Sequence, residues 1–480
     1  CLGALMAFEI DEASAESARA AVVTALEGRN VPTKDARILA ETWVRTADYL
    51  IESFGLPQAD YVVGNPPYVR LEDIPEDAAG WYRDVFSTMK GRADLYIAFF
   101  EAALRQLTLG GVCAYICADR WFLNQYGGEL RRFVTERFRV EVVMEMHNSG
   151  AFVEEVSAYP AITLIRRSDQ GRAVVASLGA TAEPPSGPKI ASALLAMIQG
   201  EEVPRPPGLT LAVVDRWFSG VDPWPCSSPE RLALLRRLED KYLPLESTET
   251  GTRVGIGVAT GCDPIFITRD DQLVESSRLL PLAMANDTTT GQLLWSGHYL
   301  VDPWDHDGLV DLDRFPKFRA YVERHQDTLS RRHTAKKNVR GWYRTIDRVS
   351  HALTGQQKLY IPDIKDQLNP VLDSGETYPH HNLYYIVSSG WNLEILGGLL
   401  LSAFGQFFIE CYGVRMRGGY LRFQAQYLRR IRVPDPRSIS DAQAGRLVKA
   451  FRERDRSLAT EVAAQVYGIE PNEWEAALGR

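Results

Sequence analysis

Cysteine is scarce in this chain: six in 480 residues, at Cys1, Cys113, Cys117, Cys226, Cys262 and Cys411. The one close pair, Cys113 and Cys117, lies inside the apolar segment Gly111 to Ala118, and no second pair or histidine partner completes a zinc site around it. A disulfide framework is therefore excluded, no metal site is expected, and the thiols read as reduced, buried residues of a cytoplasmic protein. A long uninterrupted hydrophobic run is also missing. The longest apolar stretch, Trp391 to Val414, is interrupted by Asn392, Glu394, Gln406 and Glu410, which suits a buried helix or helix pair rather than a membrane span. There is no secretion signal, internal repeat or low-complexity tract. Nor is there an excess of positive charge. The formal net charge is −8, so attraction to a polyanion would have to come from local patches.

Two stretches supply such patches. Arg331 to Arg344 holds six Lys/Arg and no acid, with Arg331, Arg332, Lys336, Lys337 and Arg340 as candidate phosphate contacts. Gly413 to Arg432 holds six Arg and no acid, with Arg415 and Arg417 foremost and Tyr420, Phe423 and Tyr427 interleaved. Both patterns suit local neutralisation of nucleic-acid phosphates.

With 45% hydrophobic and 24% charged residues, the chain reads as soluble and globular, and its length predicts two or three domains. A short strand over residues 5–10 precedes an Ala-rich helix from Asp11 to Glu27, and helical spacing returns over Ala36 to Trp43. Asp60 to Gly64 reads as a buried strand. Asp94 to Leu107 has helical spacing, Gly110-Gly111 breaks it, and Val112 to Ala118 makes another strand. Leu130 to Phe138 reads as a helix, with strands over Val140 to Met146 and Ala161 to Ile165. Strands alternating with helices predict an α/β domain with a parallel-rich sheet over residues 1–170. Gly, Pro and Ser mark 171–226 as a linker. A helix from Ser228 to Tyr242 then opens a second domain over 227–435 with short strands, Gly turns and aromatics, and 436–480 forms a polar helical tail.

The most informative motif is Asn65-Pro66-Pro67-Tyr68, directly after the Asp60 to Gly64 strand. An amine conjugated to an aromatic ring is a poor nucleophile. The Asn65 side-chain oxygen and the Pro66 carbonyl can each accept one of its N–H bonds, drawing the nitrogen toward tetrahedral geometry and freeing its lone pair. Two prolines stiffen the backbone that presents the carbonyl, and Tyr68 offers a flat face for a base. By residue frequency the tetrapeptide would arise in about one in a thousand chains of this length.

Residues 1 to about 167 resemble the catalytic domain of the γ class of adenine-N6 DNA methyltransferases of restriction-modification systems, the Taq-methyltransferase-like, NPPY-bearing family. The resemblance implies a Rossmann-like class I fold that uses S-adenosylmethionine. In Phe8-Glu9-Ile10-Asp11 it implies that Glu9 bonds the cofactor's ribose hydroxyls and that Ile10 packs on its adenine. Ala47-Asp48-Tyr49 stands shortly before the tetrapeptide. There Asp48 would accept a bond from the cofactor's adenine amine, and Tyr49 would flank the ring. Within Lys90 to Glu101, Phe99 would close over the same adenine; filling the core is the alternative reading for Phe99 and Phe100. In Ala151 to Ala158, Phe152 would stack on a flipped target adenine opposite Tyr68.

The later region resembles, more loosely, the family's target-recognition domain, a mixed α+β domain that binds double-stranded DNA. The similarity lies in Gly255 to Ile267, Lys358 to Pro362 and Phe423 to Pro434. One departure stands out: the family's Gly-rich cofactor loop should precede Phe8, and only seven residues do, with Gly3 the sole glycine. The chain starts at Cys1 without Met, and a fragment lacking its first strand and Gly-rich loop is expected. A cognate restriction endonuclease, or a nuclease domain in the missing part, is the other expected partner. Two rival functions are a protein glutamine N-methyltransferase, which shares the tetrapeptide, and a non-catalytic DNA-binding or specificity module.

Overall fold

Asp11 starts the first helix, two residues after the first strand ends. It follows β1 (Ala7–Glu9), and its carboxylate accepts the Ser14 backbone N–H at 2.8 Å, an N-cap that opens α1 (Glu12–Glu27). After α2 (Thr33–Trp43), β2 (Val44–Thr46) pairs in parallel with β1, and Asp48 caps the short α3 (Tyr49–Glu52). The computed structural model describes residues 2–146, 160–179, 183–201, 204–225, 229–413 and 421–478, and divides the chain into two compact units, Cys1–Pro229 and Glu230–Arg480.

The rest of the first unit is built around β3 (Ala59–Gly64), α4 (Glu76–Val85), α5 (Tyr96–Gln106), β4 (Leu107–Ala118), α6 (Arg120–Leu123), α7 (Gly128–Arg137), β5 (Arg139–Glu145), β6 (Pro160–Arg166), β7 (Ala173–Leu178), α8 (Gly187–Gln199) and β8 (Leu209–Val214). Six strands form one sheet in the order β3-β4-β6-β5-β7-β8, and β1-β2 form a separate parallel pair. The parallel-rich expectation is corrected here. Within the six-stranded sheet only β3-β4 and β5-β7 are parallel; β6 inserts antiparallel between β4 and β5, and β8 runs antiparallel to β7. β4 begins at Leu107, but its register with β3 slips at the glycines, with Ala59 opposite Leu107 and Tyr61 opposite Val112, and regular pairing with β3 and β6 runs from Val112 to its end, over the stretch expected as a strand.

The expected linker over 171–226 is also corrected. It supplies β7, α8 and β8, and its tryptophans join the core: Trp224 packs against Trp121 with ring centroids 4.9 Å apart and against Trp217 at 5.6 Å. The backbone N–H of Trp224 donates to the Phe122 carbonyl at 2.7 Å. Pro and Gly in this stretch punctuate short strands, and the apolar residues between them decide where it packs. Beneath the sheet α5 is buried almost all round. Phe100 meets Tyr115 and Trp121 at 5.0 Å each, while the fully buried Glu101 accepts from the backbone and hydroxyl groups of Ser87 and Thr88 and pairs with Arg105. Those donors offset the cost of burying a carboxylate.

The second unit has the mixed α+β character expected. Arg253–Ile256, Leu383–Val387, Lys358–Pro362 and Val371–Asp373 form one antiparallel sheet, and Ile267–Thr268, Tyr299–Val301, Leu279–Ala283 and Tyr378–Pro379 form a mixed one, in which Tyr378–Pro379 runs parallel to Leu279–Ala283. The apolar stretch from Trp391 becomes two helices, Leu393–Leu401 and Ala403–Tyr412, bent 64° apart; among the described residues no single helix is long and apolar enough to cross a membrane. The tail is helical, as expected, but it is not separate from the second unit. Helix Asp441–Glu453 packs so tightly on Leu393–Leu401 that a Cβ on Gly398 would stand 2.6 Å from the Leu447 carbonyl oxygen. Leu447 and Ala450 are fully buried, so 436–480 is part of this unit's core.

Candidate active site

The carboxyl ends of β1 and β3 and the loops after them carry the candidate residues. Parallel strands leave crevices beyond these ends, where ligands of open α/β sheets bind. β3 pairs with β4 through Gly64 opposite Tyr115, and Asn65 is the first residue beyond the pairing. Asn65 is exposed, and neither its side chain nor the Pro66 carbonyl has a hydrogen-bond partner among the described residues. Pro66 itself is buried. The chain after the prolines is tied down where the Leu95 N–H donates to the Val69 carbonyl at 2.9 Å, which couples this loop to the start of α5. Two acceptors are thus left open on a stiff, anchored loop.

Tyr68 is half-buried. Its hydroxyl is enclosed without a hydrogen-bond partner, and burial pushes its pKa up to about 12. The phenol is therefore neutral, and its ring is the part left to act. Phe152, expected to face it, lies outside the described residues, as do Arg415 and Arg417.

A second group gathers beside β1. The Tyr49 ring stands 5.6 Å from Phe8 on one side and 5.6 Å from Phe99 on the other, while its hydroxyl donates to Gln106 Oε1 at 2.7 Å. This separates the two phenylalanines: Phe100 fills the core, and the half-buried Phe99 joins the aromatic row. Glu9 Oε1 accepts the Asp11 N–H at 3.0 Å, and its other oxygen remains for a ligand. Ile10 is 72% exposed, an apolar side chain at the strand end with nothing over it. Asp48 is more committed than the sequence implies. One oxygen caps α3 through the Leu50 N–H and the other accepts the Tyr82 hydroxyl, both at 2.8 Å, so only its remaining lone pairs are open. An aromatic row, an uncovered Ile10 and a carboxylate with a spare oxygen fit the adenosine half of S-adenosylmethionine.

Tyr82 and Asp94 escaped the sequence reading. Burial, with the Asp48 bond second, pushes the Tyr82 pKa up to about 12; nothing in Trp81-Tyr82 marks it, since its partner is remote in sequence. Asp94 stands inside the Lys90 to Glu101 segment. Burial raises its pKa, opposed by Arg120 and Arg70, and this places a half-buried carboxylate one residue before the Leu95 anchor.

The expected phosphate contacts divide. Arg331, Lys336, Lys337 and Arg340 are exposed. Arg332 is a correction: its guanidinium donates to the carbonyls of Leu329, Thr260, Trp342 and Arg344 and lies over the Phe266 ring, and burial lowers its pKa. It braces its own loop. Later in the chain Arg422 pairs with Asp363, Arg429 with Glu246 and Arg432 with Glu239, so acids from elsewhere neutralise much of that basic run.

Comparison with known proteins bears on the whole chain. A family model described as Eco57I restriction-modification methylase matches residues 10–152. The chain is 41% identical over 478 residues to the type II methyltransferase M.PaeR7I of Pseudomonas aeruginosa, covering 99% of this chain and 82% of that protein. It is 41% identical over 469 residues to M.XhoI of Xanthomonas vasicola, covering 97% and 85%. Among solved structures, the type IIL restriction-modification enzyme MmeI in complex with DNA aligns with a TM-score of 0.55 at 12% identity, over 91% of this chain. This chain spans 57% of the MmeI chain, and the likeness is one of fold.

Proposed function

The chain belongs to the type II methyltransferase family of restriction-modification systems, and from that premise we propose that it methylates the N6 amine of an adenine flipped out of double-stranded DNA. The observation that carries this reading is the pair of open acceptors at Asn65 and Pro66 on the loop after β3. The first unit is read as a class I, Rossmann-like methyltransferase domain with S-adenosylmethionine as donor. The cofactor's adenosine would be held by Glu9 at the ribose, by Ile10 and the Tyr49–Phe99 row at the adenine, and by the residual acceptor capacity of Asp48. When bound, S-adenosylmethionine supplies an electrophilic methyl group.

The chain's own part is to bind, orient and polarise. Asn65 Oδ1 and the Pro66 carbonyl oxygen accept the two N–H bonds of the target amine and fix the direction of its lone pair. Tyr68 stacks on the extruded base and returns part of the unstacking cost, and Phe152 is proposed on its other face. No residue need form a covalent bond to the base. The surplus proton on the methylated nitrogen is already hydrogen-bonded to Asn65 Oδ1 or the Pro66 carbonyl and leaves from there to water. In the second unit Arg331, Lys336, Lys337 and Arg340 are proposed to meet phosphates, with Arg415 and Arg417 as further contacts. The cell supplying the DNA would also hold a cognate nuclease, and the compartment is read as the cytoplasm.

The test is transfer of a tritiated methyl group to DNA by wild type beside Asn65→Ala. The variant is expected to lose about 10²–10³-fold in rate, the scale of a lost polarising partner, with its circular dichroism spectrum retained. Equal rates, or label delivered to protein rather than to DNA, overturn the reading.

A further inference from the structure

Away from every residue given a role above, two histidines and an aspartate of the second unit converge. Asp263 opens the short helix Asp263–Phe266. His380 and His381 form the turn between Tyr378–Pro379 and Leu383–Val387. The two places are distant in sequence and joined by backbone: the Val258 N–H donates to the Pro379 carbonyl at 2.9 Å, and the His381 N–H donates to the Val258 carbonyl at 3.1 Å. Gly257 permits this approach, since a Cβ there would stand 2.2 Å from the His380 carbonyl oxygen.

One ligand atom from each of the three side chains lies within 4.8 Å of the other two. His380 is 2% exposed, and its ring nitrogens stand beside Asp263 and Asn382 without making a well-aligned hydrogen bond to either. Its Nε2 is 3.4 Å from Asp263 Oδ2, near enough to share a ligand but not aligned to donate. The two imidazole rings are neighbours, with centroids 4.1 Å apart and planes tilted by 60°. Beside them Asn382 Oδ1 is also buried without a partner. Buried polar atoms are almost always satisfied, and an orphaned imidazole needs an account. Packing does not provide one, because an apolar side chain of similar size would fill the space without the desolvation cost.

We propose that Asp263, His380 and His381 form a binding site for a divalent transition-metal ion of the zinc type. Two imidazole nitrogens and one carboxylate oxygen are a borderline donor set that suits zinc in preference to calcium or magnesium, and three protein ligands leave a fourth position for water. The donors need only close together by rotation of His381, which is exposed, toward Asp263, whose side chain is 45% exposed. The carboxylate is already oriented, for its Oδ1 accepts the hydroxyl of the fully buried Thr260, the kind of outer support that fixes a metal ligand. The bound ion would clip the loop after Arg253–Ile256 to the turn before Leu383–Val387. Sequence spacing conceals the site, since Asp263 stands far from the adjacent His380 and His381, and the proposal does not depend on the methyl-transfer reading.

Full-length protein stripped with a chelator and dialysed is titrated with zinc alone, and with cobalt as a spectroscopic probe. The expected result is one equivalent bound at micromolar free metal, a rise in Tm with zinc, and visible cobalt absorption of a four-coordinate site. His380→Ala risks misfolding, so the decisive variants are the accessible ones, His381→Gln and Asp263→Asn. Each should retain its fold and weaken zinc binding by about tenfold or more, at least the loss associated with an outer-shell partner. No stoichiometric zinc in wild type, or wild-type affinity in both variants, overturns the proposal.

Discussion

The proposed site of the first unit and the Lys358–Pro362 sheet of the second keep their polar groups in opposite ways. In the first, the proposed site residues are left open: Asn65 is exposed without a partner among the described residues, Ile10 is 72% exposed, and Glu9 keeps an oxygen free. In the second, charge is spent internally. Lys358 and Asp373 form an ion pair with both side chains fully buried, 2.8 Å apart, and Tyr360 and Thr377 complete the network. Openness is what an enzyme needs where a substrate supplies the missing partner, and closure is what a scaffold of short strands needs to hold its shape. A run of like charge is thus a poor guide to a binding face, because the fold can turn each member toward an acid or a carbonyl.

The sharpest way to break the contrast is Lys358→Met. It strands the Asp373 carboxylate in the interior and should cost about 3–5 kcal/mol in the second unit, seen in denaturant unfolding, while the first unit's transition is unmoved. Arg332→Ala comes next. Leaving its four carbonyls without that donor should lower stability by about 2–3 kcal/mol. Lys336→Ala with Lys337→Ala should instead leave unfolding unchanged and reduce the salt slope of DNA binding by about 1 for each phosphate no longer neutralised. A reversal of that pattern in fluorescence binding titrations would show that Arg332 faces the ligand after all. Gly398→Ala forces a methyl group into the Leu447 backbone, and overpacking of that kind costs about 1–3 kcal/mol.

The mildest change is Tyr68→Phe. Its hydroxyl has no partner to lose, so methyl transfer should stay within about threefold of wild type and stability should hold or rise slightly, since an unsatisfied group is removed. The change also carries a pH signature. The raised Tyr68 pKa means that the folded state favours the neutral phenol; the stability linked to it is intact below the ordinary value of 10.0 and is lost as pH climbs toward about 12. Alkaline unfolding of Tyr68→Phe should begin later than that of wild type.

Legibility followed the same division. The place of Asn65, Pro66 and Tyr68 directly after a strand is legible because it is local: the apolar run Asp60 to Gly64 forms the strand, and the prolines end it. The row of Tyr49 and Phe99 was readable as two separate motifs, though not as neighbours. The partner of Asp48 was not readable, since Tyr82 reaches it from α4. The segment 171–226 was misread for a related reason. Its turn residues are loud in sequence, and the six-residue strands β7 and β8 between them are quiet until they pair. Arg332 shows the limit most plainly, because no composition distinguishes it from exposed Arg331.

β3 is the margin of the six-stranded sheet, and both Tyr61 and Val63 on it are 77% exposed. An edge of this kind takes up a further strand by backbone pairing. Any strand that docks along β3 would cover Tyr61 and Val63 and steady the loop proposed to hold the amine, so a charged residue at Val63 should weaken such docking.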